Sequence, residues 1–322
     1  MRFHRLGADS VVLTNLVGEH VFVTLDELVG VAHGTCADQA LLARLRAVHL
    51  IQVPGETLPA ELLAIKLRTR MRRLPDSTGL HIFVVTLRCE HTCRYCQVSR
   101  QSAAKSEFDM TEETARRALE LAFRSPSPCL KIEFQGGEPL LNFPLVRWIT
   151  AEAKRMNAGH GKDLAFVIAT NLALLDNEIL EFCAEQDVHL STSLGIGIGA
   201  LVYNYDGDIY ASDEGRMLAE TGDRTFRLGN VHDSSYPDVM LSDGLLRPLT
   251  ESIALSAPMC ATCAFEPYCG ADPVFHHTTA GDFTGHKALS AFCRRNTGVF
   301  TLLLRKMRDD PYFRDLMRRW AQ

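Results

Sequence analysis

The chain has 322 residues, of which 46% are apolar and 23% are charged, and this composition excludes both a disordered tail and a membrane protein. Its 39 acidic residues outnumber its 34 basic ones, so the formal charge is −5, which argues against a general nucleic-acid binder. The sequence has no signal peptide and no apolar run near the ~20 residues of a membrane-spanning helix, so we expect a cytoplasmic protein that does not contact a membrane.

The first 75 residues are predicted to form a small separate unit. Apolar residues favour short strands over 11–15 and 21–24, and leucines at helical spacing favour a helix over 41–50. A basic cluster that ends at Pro75 marks the boundary.

From about residue 80, predicted strands alternate with predicted helices. The strands cover 80–87, 130–134, 164–169 and 188–194. Helices follow Thr111 and Asn142, which we expect to act as N-caps, and a third covers 177–185. Four strands with helices between them indicate an α/β fold with a parallel sheet, either open or partly closed into a barrel.

After Leu194 the alternation stops. A β-hairpin is predicted over 200–212 with its turn at Asp206-Gly207, and the following stretch to about residue 295 is predicted to be rich in loops. The tail over 299–320 has the pattern of an amphipathic helix interrupted near Pro311. The expected domains are therefore 1–75, 76–194, 195–298 and a helical tail over 299–322.

Ten cysteines in a protein of a reducing compartment indicate metal binding rather than disulfides. Cys89-x3-Cys93-x2-Cys96 directly follows the first strand of the sheet. Three thiolates on one short loop can hold three irons of a [4Fe–4S] cluster and leave the fourth iron open to a substrate. A partial zinc site is the alternative, because C-x2-C is common in zinc proteins.

A second motif, Gly136-Gly137-Glu138-Pro139, ends the second strand of the sheet. Paired glycines let a backbone approach a ligand closely, and Glu138 can accept a hydrogen bond from an ammonium group. Tyr95 would add an aromatic face beside a cluster, although a packed surface tyrosine is the alternative.

These two motifs resemble those of the radical S-adenosylmethionine (SAM) superfamily. The resemblance implies that Cys89, Cys93 and Cys96 bind a [4Fe–4S] cluster, whose open iron takes the amino and carboxylate groups of SAM. It also implies a set of residues that contact SAM or lie beside the cluster: Tyr95, Gly136, Gly137, Glu138, Pro139, Thr170, Asn171, Ser191 and Ser193. The implied fold is a radical SAM (βα) barrel, here of about four βα units.

A second cysteine group consists of Cys260-x2-Cys263-x5-Cys269 together with Cys293. Four thiolates saturate either a tetrahedral zinc ion or a closed iron–sulfur cluster, and their spacing does not distinguish the two. Histidines near this group, His276, His277 and His286, are alternative ligands. Cys129 and Cys183, outside both groups, are expected to be buried.

The second group resembles the SPASM extension of peptide-modifying radical SAM enzymes, which carries up to two auxiliary clusters. Two positions where that family has cysteines hold Ser212 and Pro273 here. The resemblance therefore implies one auxiliary [4Fe–4S] cluster, on Cys260, Cys263, Cys269 and Cys293.

A narrower resemblance is to the His-Xaa-Ser system radical SAM maturases (HxsB). It rests on the runs at 95–101, 260–273, 275–277, 285–287 and 292–296. It implies that the substrate is a ribosomally made precursor peptide with His-Xaa-Ser repeats, and that partner maturation proteins and an electron donor take part. The N-terminal unit resembles the winged-helix domains that bind leader peptides, although a domain that only packs on the barrel is an alternative.

One departure from the family is the missing second half of the barrel. Strand four runs into Gly195-Ile196-Gly197 as if an internal segment were absent. We therefore expect an exposed sheet edge and weak SAM binding. The rival hypothesis is a non-catalytic peptide-binding scaffold in which clusters or zinc act as structural staples.

Overall fold

The computed structural model describes residues 2–72, 74–91, 99–191 and 199–320. The chain forms two compact units, one made of Met1–Arg72 and Thr250–Gln322, the other of Arg73–Leu249. Within the described ranges, no helix combines the length and the apolar character that crossing a membrane requires.

The first unit begins with an antiparallel sheet and three helices. The sheet has the order β1-β2-β3, so the central strand is the second. Its elements are β1 (Arg2–Arg5), β2 (Ser10–Thr14), β3 (His20–Thr24), α1 (Leu25–His33), α2 (Gln39–Ala47) and α3 (Leu58–Met71). The predicted strands and the predicted helix over 41–50 are present. The sequence patterns did not reveal β1, α1 or α3.

The second unit is built on a seven-stranded sheet of order β12-β11-β10-β4-β7-β8-β9. The seven strands of this sheet are β4 (Leu80–Thr86), β7 (Cys129–Gly136), β8 (Asp163–Ala169), β9 (Val188–Ser191), β10 (Ala200–Tyr203), β11 (Asp208–Tyr210) and β12 (Arg227–Asn230). Two further short strands, β5 (Arg88–Cys89) and β6 (Gln101–Ser102), pair with each other in a separate sheet. The pairs from β10 through β4, β7 and β8 to β9 are parallel. This partial α/β barrel confirms the predicted fold class.

One face of this sheet is covered by helices. The helices of the unit are α4 (Glu112–Phe123), α5 (Phe143–Asn157), α6 (Asn177–Gln186), α7 (Asp213–Ala219), α8 (Tyr236–Met240) and the start of α9 (Asp243–Glu251). Phe83, Phe134 and Phe166 from three neighbouring strands pack against the apolar stripes of α4 and α5. The helices therefore bury this face of the sheet.

One of the two predicted N-caps and one of the two cysteines predicted to be buried are confirmed in this unit. Thr111 caps α4 as expected, since its Oγ1 accepts a hydrogen bond from the amide of Thr114 at 3.1 Å. Asn142 precedes α5 without capping it, because its Nδ2 donates instead to the carbonyl of Val85 at 2.9 Å. Cys183 is buried as predicted, but Cys129, at the very start of β7, is exposed.

The predicted hairpin is β10 and β11, with Gly207 in the left-handed region at φ 87°. Its first strand pairs in parallel with β4 and so extends the edge of the sheet opposite β9. The boundary expected at 194/195 therefore falls inside the second compact unit, which continues to Leu249. Helices α8 and α9 also occupy part of the stretch predicted to be loop-rich.

The C-terminal part of the chain shares a core with the N-terminal sheet. Its helices are α10 (Pro273–Ala280), α11 (Ala291–Asp309) and α12 (Pro311–Trp320). Val12 of β2 packs with Ala264, Phe265 and Leu304. Residues 1–72 thus form one compact unit with residues 250–322, which include the four clustered cysteines and the expected tail. Contacts across some 250 residues leave no local signal in the sequence.

We expect Phe265→Ala to destabilise the first unit by about 3–5 kcal/mol, the usual cost of emptying a buried phenylalanine site. Phe265 is 2% exposed, and its ring lies 4.4 Å from that of His4. Thermal unfolding measures the loss, and hydrogen exchange should show faster exchange in β1 and β2. Tyr312→Ala, at an exposed position of α12, is the control. Unchanged exchange in both strands would contradict the shared core.

Candidate functional site

The carboxyl ends of the parallel strands meet at one edge of the sheet, where ligands usually bind in open α/β folds. Beyond β4 the chain continues as β5, which pairs in parallel with β6. Cys89, the last residue of β5, and Gln101, the first residue of β6, therefore lie near each other at this edge. Cys89 is buried. The predicted site residues Cys93, Tyr95, Cys96 and Ser193 lie outside the described residues.

An ion pair holds the base of this cysteine loop. The guanidinium of Arg88 donates to both carboxylate oxygens of Asp109, each at 2.7 Å, and also to the carbonyls of Ala103 and Leu141 at 3.0 and 2.8 Å. Thr86 donates to the same carboxylate at 2.6 Å. Bidentate pairing of this kind fixes geometry as well as charge. The sequence analysis missed Arg88 and Asp109, and the only signal was an arginine directly before the first cysteine.

The two glycines of the second motif are required by a neighbouring backbone. Gly136 has φ 143°, and a Cβ there would lie 1.8 Å from the carbonyl oxygen of Thr86. A Cβ on Gly137 would lie 2.2 Å from the carbonyl oxygen of Arg88. In this tight crossing the amides of Gly137 and Glu138 donate to those two carbonyls at 2.9 and 2.7 Å. That these glycines let the backbone approach a ligand stays a prediction; the close neighbour that the structure shows is the base of the cysteine loop.

The carboxylate of Glu138 connects two strand ends. Its side chain is 0% exposed, and it accepts from Thr170 Oγ1 at 2.7 Å, from the Asn171 amide at 2.9 Å and from the Leu140 amide at 3.0 Å. The Thr170 amide donates in turn to the carbonyl of Ser191 at 3.0 Å. The motif that follows β7 is thereby joined to the ends of β8 and β9. Of the predicted SAM-contact residues, all those described lie at this edge.

Asn171 reaches from β8 to the start of the cysteine loop. Its Nδ2 donates to Glu90 Oε1 at 2.7 Å and lies 3.0 Å from Nδ1 of His91. One ligand atom each from Cys89, Glu90 and His91 lies within 4.8 Å of the others. Burial opposes ionisation of Glu90, but the hydrogen bonds from Asn171 and its neighbours outweigh it and lower the pKa of this carboxyl. The entrance to the loop is therefore anionic at neutral pH.

A buried acid also lies on the sheet face away from the helices. Glu133 alternates with Ile132 and Phe134, which face the helices, so its side chain points to the other side. It accepts from Gln135 Nε2 at 2.7 Å and pairs with Lys131 at 2.9 Å. The sequence analysis passed over Glu133, although an acid within an apolar strand was a visible signal.

A cavity in the first unit is lined by Cys260, Cys263, Cys269 and Cys293. Within the part of the chain that the structure describes, no three of their sulfur atoms lie within 4.8 Å of one another. Four sulfurs around one zinc ion lie ~3.8 Å apart, from a Zn–S distance of ~2.3 Å and tetrahedral angles. The four sulfurs are thus not gathered as closely as around a bound zinc ion, although all four cysteines line one cavity.

The surroundings of this cavity explain which groups can be ligands. Cys293 lies in the first turn of α11, and its amide donates to the capping Oγ of Ser290 at 3.2 Å. His276 is buried, with Nδ1 at 2.7 Å from the carbonyl of Asp272 and Nε2 at 3.0 Å from Ser290 Oγ. Both ring nitrogens are thus engaged, and His276 supports the cap rather than serving as a ligand. Burial raises the pKa of Cys260, which a nearby Lys287 partly offsets.

We expect Gly137→Ala to destabilise the second unit by about 1–3 kcal/mol, the usual range for overpacking, because the new Cβ would overlap the Arg88 carbonyl. Denaturant unfolding measures the change. In Gly159→Ala the new Cβ would meet its nearest atom at 3.7 Å, an ordinary contact, so this variant is the control. Equal stability of both variants would contradict the close crossing.

We expect Asn171→Ala to raise the pKa of Glu90 towards its ordinary value. In the folded protein that pKa is lowered, so ionised Glu90 adds stability above its ordinary pKa, and the contribution is lost as pH falls through the lowered value. Carboxyl NMR titration measures the pKa. Asn177→Ala, at an exposed position of α6, should leave it unchanged, and an unchanged Glu90 pKa in Asn171→Ala would refute the assignment.

Part of the chain is similar in sequence to a protein of an archaeon. Over 126 residues it is 32% identical to the uncharacterized protein MJ0907 of Methanocaldococcus jannaschii, a match that covers 38% of this chain and 41% of the relative. The matched region thus spans about two fifths of that relative's length.

Two solved structures have a similar fold. Native anSMEcpe with bound AdoMet has a TM-score of 0.54 at 13% identity, over 74% of this chain and 99% of that one. Native anSMEcpe with bound AdoMet and Kp18Cys peptide has a TM-score of 0.53 at 12% identity, with the same coverage of both chains. Residues 83–198 match the family described as the Radical SAM superfamily. The chain therefore carries a radical SAM domain, as the cysteine loop and the motif at Gly136 predicted.

Proposed function

We propose that the chain is a radical SAM enzyme that matures a ribosomally made peptide of the His-Xaa-Ser repeat type. The observation that carries the proposal is the hydrogen-bonded edge of the sheet. There the loop that begins at Cys89, the motif at Gly136 to Pro139 and the pair Thr170-Asn171 are joined through Glu138 and Asn171. These are the residues that the superfamily resemblance assigns to the cluster and to SAM.

In this proposal Cys89, Cys93 and Cys96 hold a [4Fe–4S] cluster at the edge of the sheet. When bound and reduced, the cluster supplies the electron that cleaves SAM into methionine and a 5′-deoxyadenosyl radical, which abstracts hydrogen from the peptide. Gly136, Gly137 and Pro139 shape the backbone beside the amino end of SAM. Thr170, Asn171, Ser191 and Ser193 provide polar groups, and Tyr95 an aromatic one.

The supporting residues around the edge keep the cysteine loop in place. The Arg88–Asp109 pair fixes the base of the loop against carbonyls of two other segments. Each hydrogen bond that the structure describes for the Glu138 carboxylate comes from a donor of the protein. Its role in the proposal is therefore to position Thr170 and Asn171. Catalysis depends on such positioning because small displacements of a reacting group reduce the rate strongly.

The peptide substrate is supported by the sequence motifs shared with the His-Xaa-Ser maturases. A structure with a similar fold also contains a bound peptide, which is a property of that protein. Within the first unit, β3 is an edge of the antiparallel sheet, and such an edge can pair with an extended peptide. The proposed partners are therefore the precursor peptide, the other maturation proteins of the system and an electron donor.

The second cofactor in the proposal is one auxiliary [4Fe–4S] cluster on Cys260, Cys263, Cys269 and Cys293. Its support is the cavity that all four cysteines line. Four thiolates would saturate the cluster, which would leave it no open iron.

Anaerobic reconstitution followed by reduction with SAM tests the proposal. We expect about eight irons per chain, from two four-iron clusters, and release of 5′-deoxyadenosine. Cys89→Ala should lose about half of the iron and all cleavage, since its cluster would lack one of three ligands. Cys129→Ala, at an exposed position outside both groups, is the matched control.

The outcomes separate the hypotheses. Full cleavage by Cys89→Ala would overturn the assignment of the loop. Iron at both sites without cleavage of SAM would favour the non-catalytic scaffold, and tightly held zinc without labile sulfide would exclude both clusters. Cleavage that occurs only with a His-Xaa-Ser repeat peptide present would support the proposed substrate.

A further inference from the structure

Lys287 is a buried lysine that lines the cavity of the four cysteines. Its residue surface is 6% exposed, which is rare for a lysine outside an ion pair. It follows the short loop after α10, and its backbone carbonyl accepts from the amide of Ser290, the cap of α11. Lys287 is therefore part of the wall of the cavity, and its charge acts on the thiol of Cys260.

Within the described part of the chain, no carboxylate forms a direct ion pair with this lysine. Among residues 2–72, 74–91, 99–191 and 199–320, none has a carboxylate oxygen within 4.0 Å of it. The acid that lines the same cavity, Glu266, is paired with Arg2 at 2.6 Å. Asp282 senses the charge of Lys287, but it is exposed and accepts from the backbone amides of Thr284 and Gly285.

Lysine residues are rarely this buried unless an anion is present to pair with them. The protonated cysteines cannot supply it, because neutral thiols carry no charge. Four thiolates around a metal centre carry net negative charge, whether the centre is zinc or a cluster. The cavity thus combines a cation that lacks an anion with ligands that become anionic on metal binding.

We propose that Lys287 is the counter-cation of the metal group held by Cys260, Cys263, Cys269 and Cys293, and that it raises the reduction potential of a cluster there. The inference rests on the proposed auxiliary cluster. Reduction adds a negative charge to the cluster, and a nearby cation in a poorly screened cavity stabilises the reduced form more than the oxidised one. Lys287 acts through its charge and is not itself a ligand.

Redox titration of the auxiliary cluster, followed by EPR, tests the inference in the full chain. A Cys89→Ala background removes the signal of the other cluster. We expect Lys287→Met to lower the ratio of reduced to oxidised cluster at a fixed potential at least tenfold, which is a shift of about 59 mV for a one-electron couple. Lys287→Arg keeps the charge and should retain most of the potential. Lys306→Met, which removes an exposed lysine of α11, is the control for net charge.

The results distinguish the inference from the proposed function. An intact cluster whose potential is the same in Lys287→Met and Lys306→Met overturns the inference and leaves the proposed function standing. Zinc in place of iron overturns the auxiliary cluster instead. In that case zinc affinity tests the counter-cation role. We expect it to be at least tenfold lower in Lys287→Met than in the unchanged chain, and equal affinities would overturn the role. Lys287→Gln repeats each measurement if the methionine variant does not fold.

Discussion

The carboxyl edge of the sheet depends on one close approach between two backbones. The carbonyls of Thr86 and Arg88 come so near to Gly136 and Gly137 that no side chain fits between them. Hydrogen bonds from the amides of Gly137 and Glu138 lock this crossing. Because the crossing fixes where the chain turns after β7, it also fixes where Glu138 points, and hence which groups on β8 its carboxylate can reach.

The acids at this edge are stabilised in different ways. Asp109 faces a guanidinium that binds both of its oxygens, so its charge is balanced directly. Glu138 receives only neutral donors, a hydroxyl and two amides, at the ends of neighbouring strands. Glu90 sits between these cases, with an amide donor and an imidazole beside it. Negative charge is thus concentrated around the loop that begins at Cys89, and the proposed cluster there would also be anionic. Hydrogen bonds from amide donors stabilise the charged carboxylates.

Local patterns in the sequence predicted most of the second unit. Apolar runs identified its parallel strands, and the cap at Thr111 marked the start of α4. The cysteine spacing and the motif at Gly136 predicted the radical SAM family, whose model matches residues 83–198. These features depend on residues close in sequence, so a single chain reveals them. Arg88, Asp109 and Lys287 act through partners or surroundings formed by distant segments, and they became visible only in the structure.

The contacts between distant segments of the first unit could not be predicted from the sequence for the same reason. Thr14 of β2 donates to the carbonyl of Ala264 at 2.8 Å, and Arg2 pairs with Glu266. Nothing in the strand pattern of residues 10–14 indicates that its buried face meets a cysteine-rich loop. The hairpin was predicted correctly as a hairpin, but its pairing with β4 was not, because edge pairing is chosen by shape and burial rather than by turn chemistry.

The first unit is assembled from the two ends of the chain, and this has a consequence during synthesis. Val12 emerges from the ribosome long before Phe265 and Leu304, which complete its apolar surroundings. At about 5–20 residues per second, the N-terminal sheet spends many seconds with that surface uncovered. The usual order, in which N-terminal segments finish folding first, is therefore reversed here. The face of the β1–β3 sheet that carries Val12 can be covered only after Leu304 has been translated, and the nascent chain is a candidate client for a holdase chaperone until then.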